Sequence, residues 1–228
     1  MKSNRLTNAF IFIVILFSGN FSVGCLGPKK VNNWTATHYE GHVPPPAKKK
    51  SERIIVLSKV EGQNSALSST EKKTSDMLPL VVYIHFDYRN TCTLNSQIPI
   101  NNFTSTVNSY SPKGLKEKIK DQKLELTIEQ IPATYAIDDK GTMVLLLVSW
   151  EYLSIQPIKE DLVVSYRLLN SNNEEVKSGK IDISDANKQI PVQMFQSVKK
   201  KTWEYLDQYD ATITSMSKHF MDQLLTEL

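Results

Sequence analysis

The chain has 228 residues, 40% of them hydrophobic and 22% charged, which suits one globular domain with terminal appendages rather than two full domains or a disordered polymer. Its formal charge is +3, but Lys2 and Arg5 lie in an acid-free N-terminal segment read below as a cleaved signal, which leaves +1. So small a charge excludes the electrostatic footprint of a nucleic-acid-binding protein.

The N-terminus has the three parts of a secretory signal, which places residues 1–24 in a signal peptide. Lys2 and Arg5 form a positive region, Ala9 to Phe17 (AFIFIVILF) an apolar run, and Ser18-Gly19-Asn20 a break before the small residues Ser22 and Gly24. Nine helical residues cover about 14 Å against a hydrocarbon core of about 30 Å, so the run exports rather than spans. Both an ordinary signal peptidase, reading Ser22 and Gly24, and a lipoprotein peptidase would cut before Cys25. The stretch Val23-Gly24-Cys25 resembles the lipobox of bacterial lipoproteins, and that resemblance implies diacylation of Cys25 as the new N-terminus. Leu26, rather than Asp, follows it, which by the enteric sorting rule implies the periplasmic side of the outer membrane. Cys92 is then a lone thiol, expected as a small buried apolar group.

Residues 25–52 read as a lipid-anchored flexible tether. Aliphatic residues are few, and Pro44-Pro45-Pro46 with Lys48-Lys49-Lys50 suit an extended, polyproline-like segment. His38 and His42 have the spacing of two metal ligands on one helical face, but no third ligand accompanies them, so no metal is expected.

The remaining residues, 53–228, read as a single α+β domain. Ile54 to Leu57 make a short strand, and residues 61–76 an exposed loop. After Pro79, the run Leu80 to Tyr88 alternates Val82, Ile84, Phe86 and Tyr88 against Val81, Tyr83, His85 and Asp87. Residues 89–110 read mostly as a long connection with helical turn around Phe103 to Val107. Ser111-Pro112 is placed to start a short helix that buries Leu115 and Ile119. Strands follow at LELTIEQI (124–131) and ATYAI (133–137), with a hairpin turn at Asp138 to Gly141. The run TMVLLLVSWEYLSI (142–155) reads as one central strand, and LVVSYRLL and EVKSGKIDI, joined by an Asn-rich turn, complete an antiparallel meander. From Pro191 onward the period changes. Phe195, Val198, Thr202, Leu206, Tyr209, Ile213, Met216, Phe220 and Leu224 recur at helical steps, which predicts a long C-terminal helix with a core-facing stripe.

This order predicts a two-layer α+β sandwich, a mostly antiparallel sheet with a short helix and the long C-terminal helix on one face. Signal, tether and element order together resemble those of small envelope lipoproteins, notably the lipopolysaccharide-transport lipoprotein plug and the auxiliary lipoproteins of ABC-type lipid transporters. That resemblance implies a non-enzymatic, membrane-anchored role with an envelope protein or lipid as partner. The sequence carries no GxSxG, HExxH, CxxC or phosphate-loop motif, and no cofactor is expected. Tyr83, His85, Asp87 and Arg89, spaced by two, share a strand face, and Glu151 and Arg167 join them as a candidate recognition surface if strand pairing brings them there. The same face offers the alternative, an exported hydrolase using Tyr83, His85 and Asp87. Strand neighbours two apart sit about 7 Å from each other, however, too far for short side chains to hydrogen-bond directly.

Overall fold

A computed structural model describes residues 26–40, 53–61, 64–78, 83–144, 148–193 and 195–228. The signal segment, Cys25, His42, the proline run and the Lys48 to Lys50 run lie outside the described residues. The protein is an α+β sandwich with two sheets and four helices, one of them the long C-terminal helix, among the described residues.

The first correction falls on the tether. Residues expected to be extended form helix α1 (Pro28–Glu40), with Val31, Thr35 and His38 buried at steps of four and three. Pro28 suits a first helical position, where its missing N–H costs no hydrogen bond. The composition looked disordered because only this narrow stripe is covered.

The four-stranded sheet has the order β1-β4-β7-β8: β1 (Ile54–Ser58), β4 (Lys123–Gln130), β7 (Leu162–Leu169) and β8 (Glu175–Ile183). β1 lies parallel to β4, with Ile54 beside Leu124, and the other pairs are antiparallel. The alternation in β4 holds, since Leu124, Leu126 and Ile128 are fully buried. The five-stranded sheet is antiparallel throughout, in the order β2-β3-β5-β6-β9: β2 (Leu67–Leu78), β3 (Tyr83–Thr93), β5 (Thr134–Val144), β6 (Val148–Pro157) and β9 (Ile190–Val192). The chain changes sheet from β1 to β2, from β3 to β4, from β4 to β5, from β6 to β7 and from β8 to β9.

Three further readings are corrected here. Most of residues 61–76 are not a loop, because β2 begins at Leu67; the strand is an edge with a register irregularity between Lys72 and Thr74, so its polar sequence keeps the edge from pairing with other chains. No hairpin turn occurs at Asp138 to Gly141, since β5 continues through them to Val144. The apolar run 142–155 is not one strand, because Val144 pairs with Val148 and the chain reverses within it.

The helices then close the core. α2 (Gln97–Ser109) buries Phe103, Thr106 and Val107, and the side chain of Asn95 accepts the Gln97 N–H at its start. α3 (Leu115–Lys118) is a single turn entered through Gly114 at φ 90°, a left-handed value glycine takes without a Cβ penalty. Its flanks bury Leu115 and Ile119 as expected, although the helix begins three residues after Pro112. α4 (Val198–Glu227) is 30 residues long, about 45 Å at 1.5 Å per residue, and unbroken at Asp207 to Asp210. The Ser197 side chain caps it by accepting the Lys200 N–H. The expected stripe is buried from Thr202 to Leu224, whereas Phe195 precedes the helix at φ 66° and is 99% exposed. α4 joins the two sheets: Phe220 packs on Phe103 beside the four-stranded sheet, and Tyr205 stacks against Tyr135 of β5.

Candidate functional site

Strand pairing decides the fate of the predicted face. In the five-stranded sheet Arg89 sits beside Glu71 and Asp138, Asp87 beside Lys140, and His85 beside Asp76 and Thr142. Tyr83, His85, Asp87 and Arg89 therefore share one face, as the period of two requires. Glu151 does not join them. It pairs with Gly141, which pairs with Phe86, and so belongs to the opposite face. Arg167 lies in β7 of the other sheet, held by Glu175 at 2.8 Å and Glu125 at 3.5 Å.

On the shared face, the charges engage each other across strands. Arg89 donates through Nε and Nη2 to the two oxygens of Asp138 at 2.6 and 2.7 Å, and the Gln156 amide donates to the same carboxylate. The hydrogen bond to Asp138 raises the Arg89 pKa further. Lys140 Nζ reaches Asp87 at 3.0 Å, and His85 Nδ1 lies 2.9 Å from Thr142 Oγ1. His85 and Asp87 thus each have a partner on β5, and the geometry orients neither toward the other as base and carboxylate.

The opposite face carries a perturbed carboxylate that the sequence reading missed. Asp139 has one buried oxygen with no hydrogen-bond partner, and burial, with Glu151 nearby, pushes its pKa up to about 6. Aromatic and aliphatic neighbours surround it in register: Tyr88, Leu153 and, one row on, Phe86 over Gly141. Its only sequence signal was an acid inside an alternating strand, masked by the apparent Asp-Asp-Lys-Gly turn.

A cleft of about 330 Å³ opens where the chain crosses between sheets, lined by Lys59, Glu61, Ser96, Glu129, Thr134 and Glu160 among others. Hydrogen bonds from Lys180 and Ser165 lower Glu129 to about 2, and burial raises Glu160. The buried Ser96 hydroxyl has no partner. With three carboxylates and one ammonium, the lining suits hydrogen-bond donors rather than anions. Nothing in sequence spacing links these residues; topology alone assembles them.

α1 adds a polar seam. The Thr35 hydroxyl lies 2.8 Å from Tyr135 Oη and 3.8 Å from Cys92 Sγ, His38 Nε2 lies 3.5 Å from Asp207, and Tyr39 donates to Asp210. Cys92 is fully buried, as expected of an apolar thiol. His38 therefore packs between Tyr39 and Trp203 against α4. Among the described residues no group of three or more His, Cys, Asp or Glu side chains could hold a metal, and no helix is long and apolar enough to cross a membrane.

The α+β sandwich with a carboxylate-lined cleft and a cross-strand charge ladder defines the class only by architecture. No family model, no curated protein and no solved structure matches the chain.

Proposed function

We infer that the protein is a membrane-anchored envelope lipoprotein that acts by binding a protein or lipid partner in transport or assembly, without chemistry of its own. The sequence around Cys25 supports the anchor. The observation that supports the binding reading is the charge ladder: Arg89 with Asp138, Asp87 with Lys140 and His85 with Thr142 pair across strands and present an ordered polar sheet face. The alternative, an exported hydrolase using Tyr83, His85 and Asp87, gains no support from that arrangement, because Asp87 pairs with Lys140 and does not orient the His85 ring as a base.

Two measurements test the reading. Mass spectrometry of the N-terminal peptide is expected to show acylated Cys25, with loss of membrane fractionation in Cys25→Ser; an unmodified N-terminus would remove the anchor. Crosslinking in detergent extracts is expected to recover an envelope component, and recovery of the protein alone would remove the partner.

A further inference from the structure

The two sheets end in the edge strands β1, β2, β8 and β9, and all but the first carry a device against pairing with another chain. β2 is written largely in Ser, Thr, Glu and Lys, with a register irregularity between Lys72 and Thr74. β8 exposes Glu175, Lys177, Lys180 and Asp182, and β9 is three residues long with Pro191 at its centre. β1 has none of these. Its sequence, Ile54-Ile55-Val56-Leu57-Ser58, holds no charge and no proline, its register against β4 is unbroken, and five residues is an ordinary strand length.

The ladder shows what β1 leaves open. The Leu124 N–H donates to the Arg53 carbonyl at 2.8 Å, and the Lys59 N–H to the Ile128 carbonyl at 2.9 Å. The odd-numbered residues therefore bond β4, and the N–H and C=O groups of Ile54, Val56 and Ser58 point away from the sheet. No backbone group among the described residues bonds them. The side chains are as open as the backbone. Ile54 and Val56 are only partly covered by the core, and on the other face Ile55 is 38% and Leu57 50% exposed. A strand laid along β1 would satisfy the backbone and cover apolar side chains on both faces.

Charge selects the occupant. At the start of β1, exposed Arg53 donates to the Lys120 carbonyl and has Lys123 beside it in register, so cations outnumber the neighbouring Asp121. At its end the Val60 N–H turns back to Ser58 Oγ at 3.1 Å, and Glu61 reaches the cleft that Glu129 and Glu160 also line. Neither Arg53 nor Glu61 has an ion-pair partner among the described residues. The edge is thus cationic at one end and acidic at the other, which makes it complementary to itself when reversed. Antiparallel pairing about Leu57 sets each Arg53 opposite the other copy's Glu61, Leu57 against Leu57 and Ile55 against the stem of Lys59, while Val56 and Ser58 exchange backbone bonds. The neighbouring register, about Val56, would oppose Arg53 to Lys59 at both ends.

We propose that β1 is a docking edge for a second copy of this chain, joining the two four-stranded sheets edge to edge about a two-fold axis at Leu57. A contact of this symmetry is closed, so it stops at a dimer, and it does not depend on acylation.

The test uses the exported chain carrying Cys25→Ser. Sedimentation velocity at chain concentrations up to several hundred micromolar is expected to show a reversible dimer, of the weak class that buries less than about 1,200 Å². Leu57→Lys sets a charge against its own twin and is expected to weaken association at least about tenfold, whereas Val176→Lys, exposed on β8, leaves it unchanged. Arg53→Glu and Glu61→Arg are each expected to weaken it and, combined in one chain, to restore it, a recovery that misfolding would not produce. Leu57 bonds β4, so the two copies of it form a non-hydrogen-bonded pair with Cα atoms about 4.5 Å apart, within disulfide range. Leu57→Cys is therefore expected to give a disulfide-linked dimer on mild oxidation, and Ile55→Cys not, because its copies lie more than about 12 Å apart. Cys92 is fully buried and does not compete. A chain that stays monomeric, a dimer indifferent to Leu57→Lys, a charge swap that restores nothing, or equal crosslinking by the two cysteine variants would each overturn the proposal.

Discussion

Replacing Arg89 by Met keeps the packing of its stem while removing the guanidinium from Asp138. The Asp138 side chain is 7% exposed and that of Arg89 25%, so the variant leaves a nearly buried carboxylate with the Gln156 amide but without its bidentate partner. Breaking a buried pair costs about 3–5 kcal/mol, and the partial exposure of Arg89 lowers the expectation to about 2–3 kcal/mol. For a domain of this size that is a fall in Tm of roughly 5–10 °C. The double variant Arg89→Met with Asp138→Leu replaces both members by apolar groups and is expected to recover most of the loss, giving a coupling of about 2 kcal/mol in a urea-denaturation cycle. Partner crosslinking is expected to survive in the double variant. A single variant within about 0.5 kcal/mol of the wild type that nevertheless abolishes crosslinking would refute this reasoning and make Arg89 a recognition residue.

Asp139 gives a pH dependence with a definite sign. Its pKa rises from 3.8 to about 6 on folding, so between these values the folded state binds the extra proton and stability falls as pH rises. Discounted for partial exposure, Asp139→Asn is expected to stabilise by about 1 kcal/mol at pH 7 and to do nothing near pH 3.5; equal effects at both pH values would rule out the desolvated carboxylate. Glu129, lowered to about 2, works in the opposite sense: its contribution is present above 4.5 and lost as pH falls toward 2, so Glu129→Gln is expected to blunt acid unfolding in that window. At Gly179 a Cβ would lie 2.7 Å from the Tyr166 ring, whose hydroxyl donates to Glu227 at 2.8 Å; Gly179→Ala is expected to cost about 1–3 kcal/mol in urea, and a neutral result would show that the ring can shift freely. Val31→Asp buries a charge under α1, and in the Cys25→Ser background it is expected to speed Cys92 labelling by about a hundredfold without global unfolding. An unchanged rate would mean that α1 does not gate that thiol.

The sequence made visible those elements in which periodicity coincides with burial. β4 and α4 were legible because Leu124, Leu126 and Ile128, and the stripe from Thr202 to Leu224, alternate with exposed residues at the period of their element. β2 was not, because an edge strand written largely in Ser, Thr, Glu and Lys, with a register irregularity, has no apolar alternation to announce it. The reversal between Val144 and Val148 was hidden for the opposite reason: the run is apolar throughout, with none of the Gly, Asn or Pro that usually marks a turn. Asp138 and Asp139 look like turn residues, yet one closes an ion pair with Arg89 and the other lies desolvated among aromatic groups. The four residues of the predicted face that lie on one strand were placed correctly, since strand geometry alone fixes them. Glu151 and Arg167 depended on register and sheet membership, which no single-sequence pattern encodes.

The helical state of residues 28–40 changes what an anchor at Cys25 would do. A flexible tether of 28 residues would let the domain sample heights of tens of Å above a bilayer. With α1 docked, the free link shrinks to the residues before Pro28, and Leu26 already packs against the core. An acylated Cys25 would then lie within about 10 Å of the start of α1, at no more than 3.6 Å per residue. An insertion of about ten Gly and Ser residues between Gly27 and Pro28 tests this coupling: acylation should persist, while the fixed distance between bilayer and the α4 start, read by fluorescence transfer, should broaden. A distance already broad in the unmodified protein would mean that α1 undocks on the membrane, returning the segment to the tether its composition suggested.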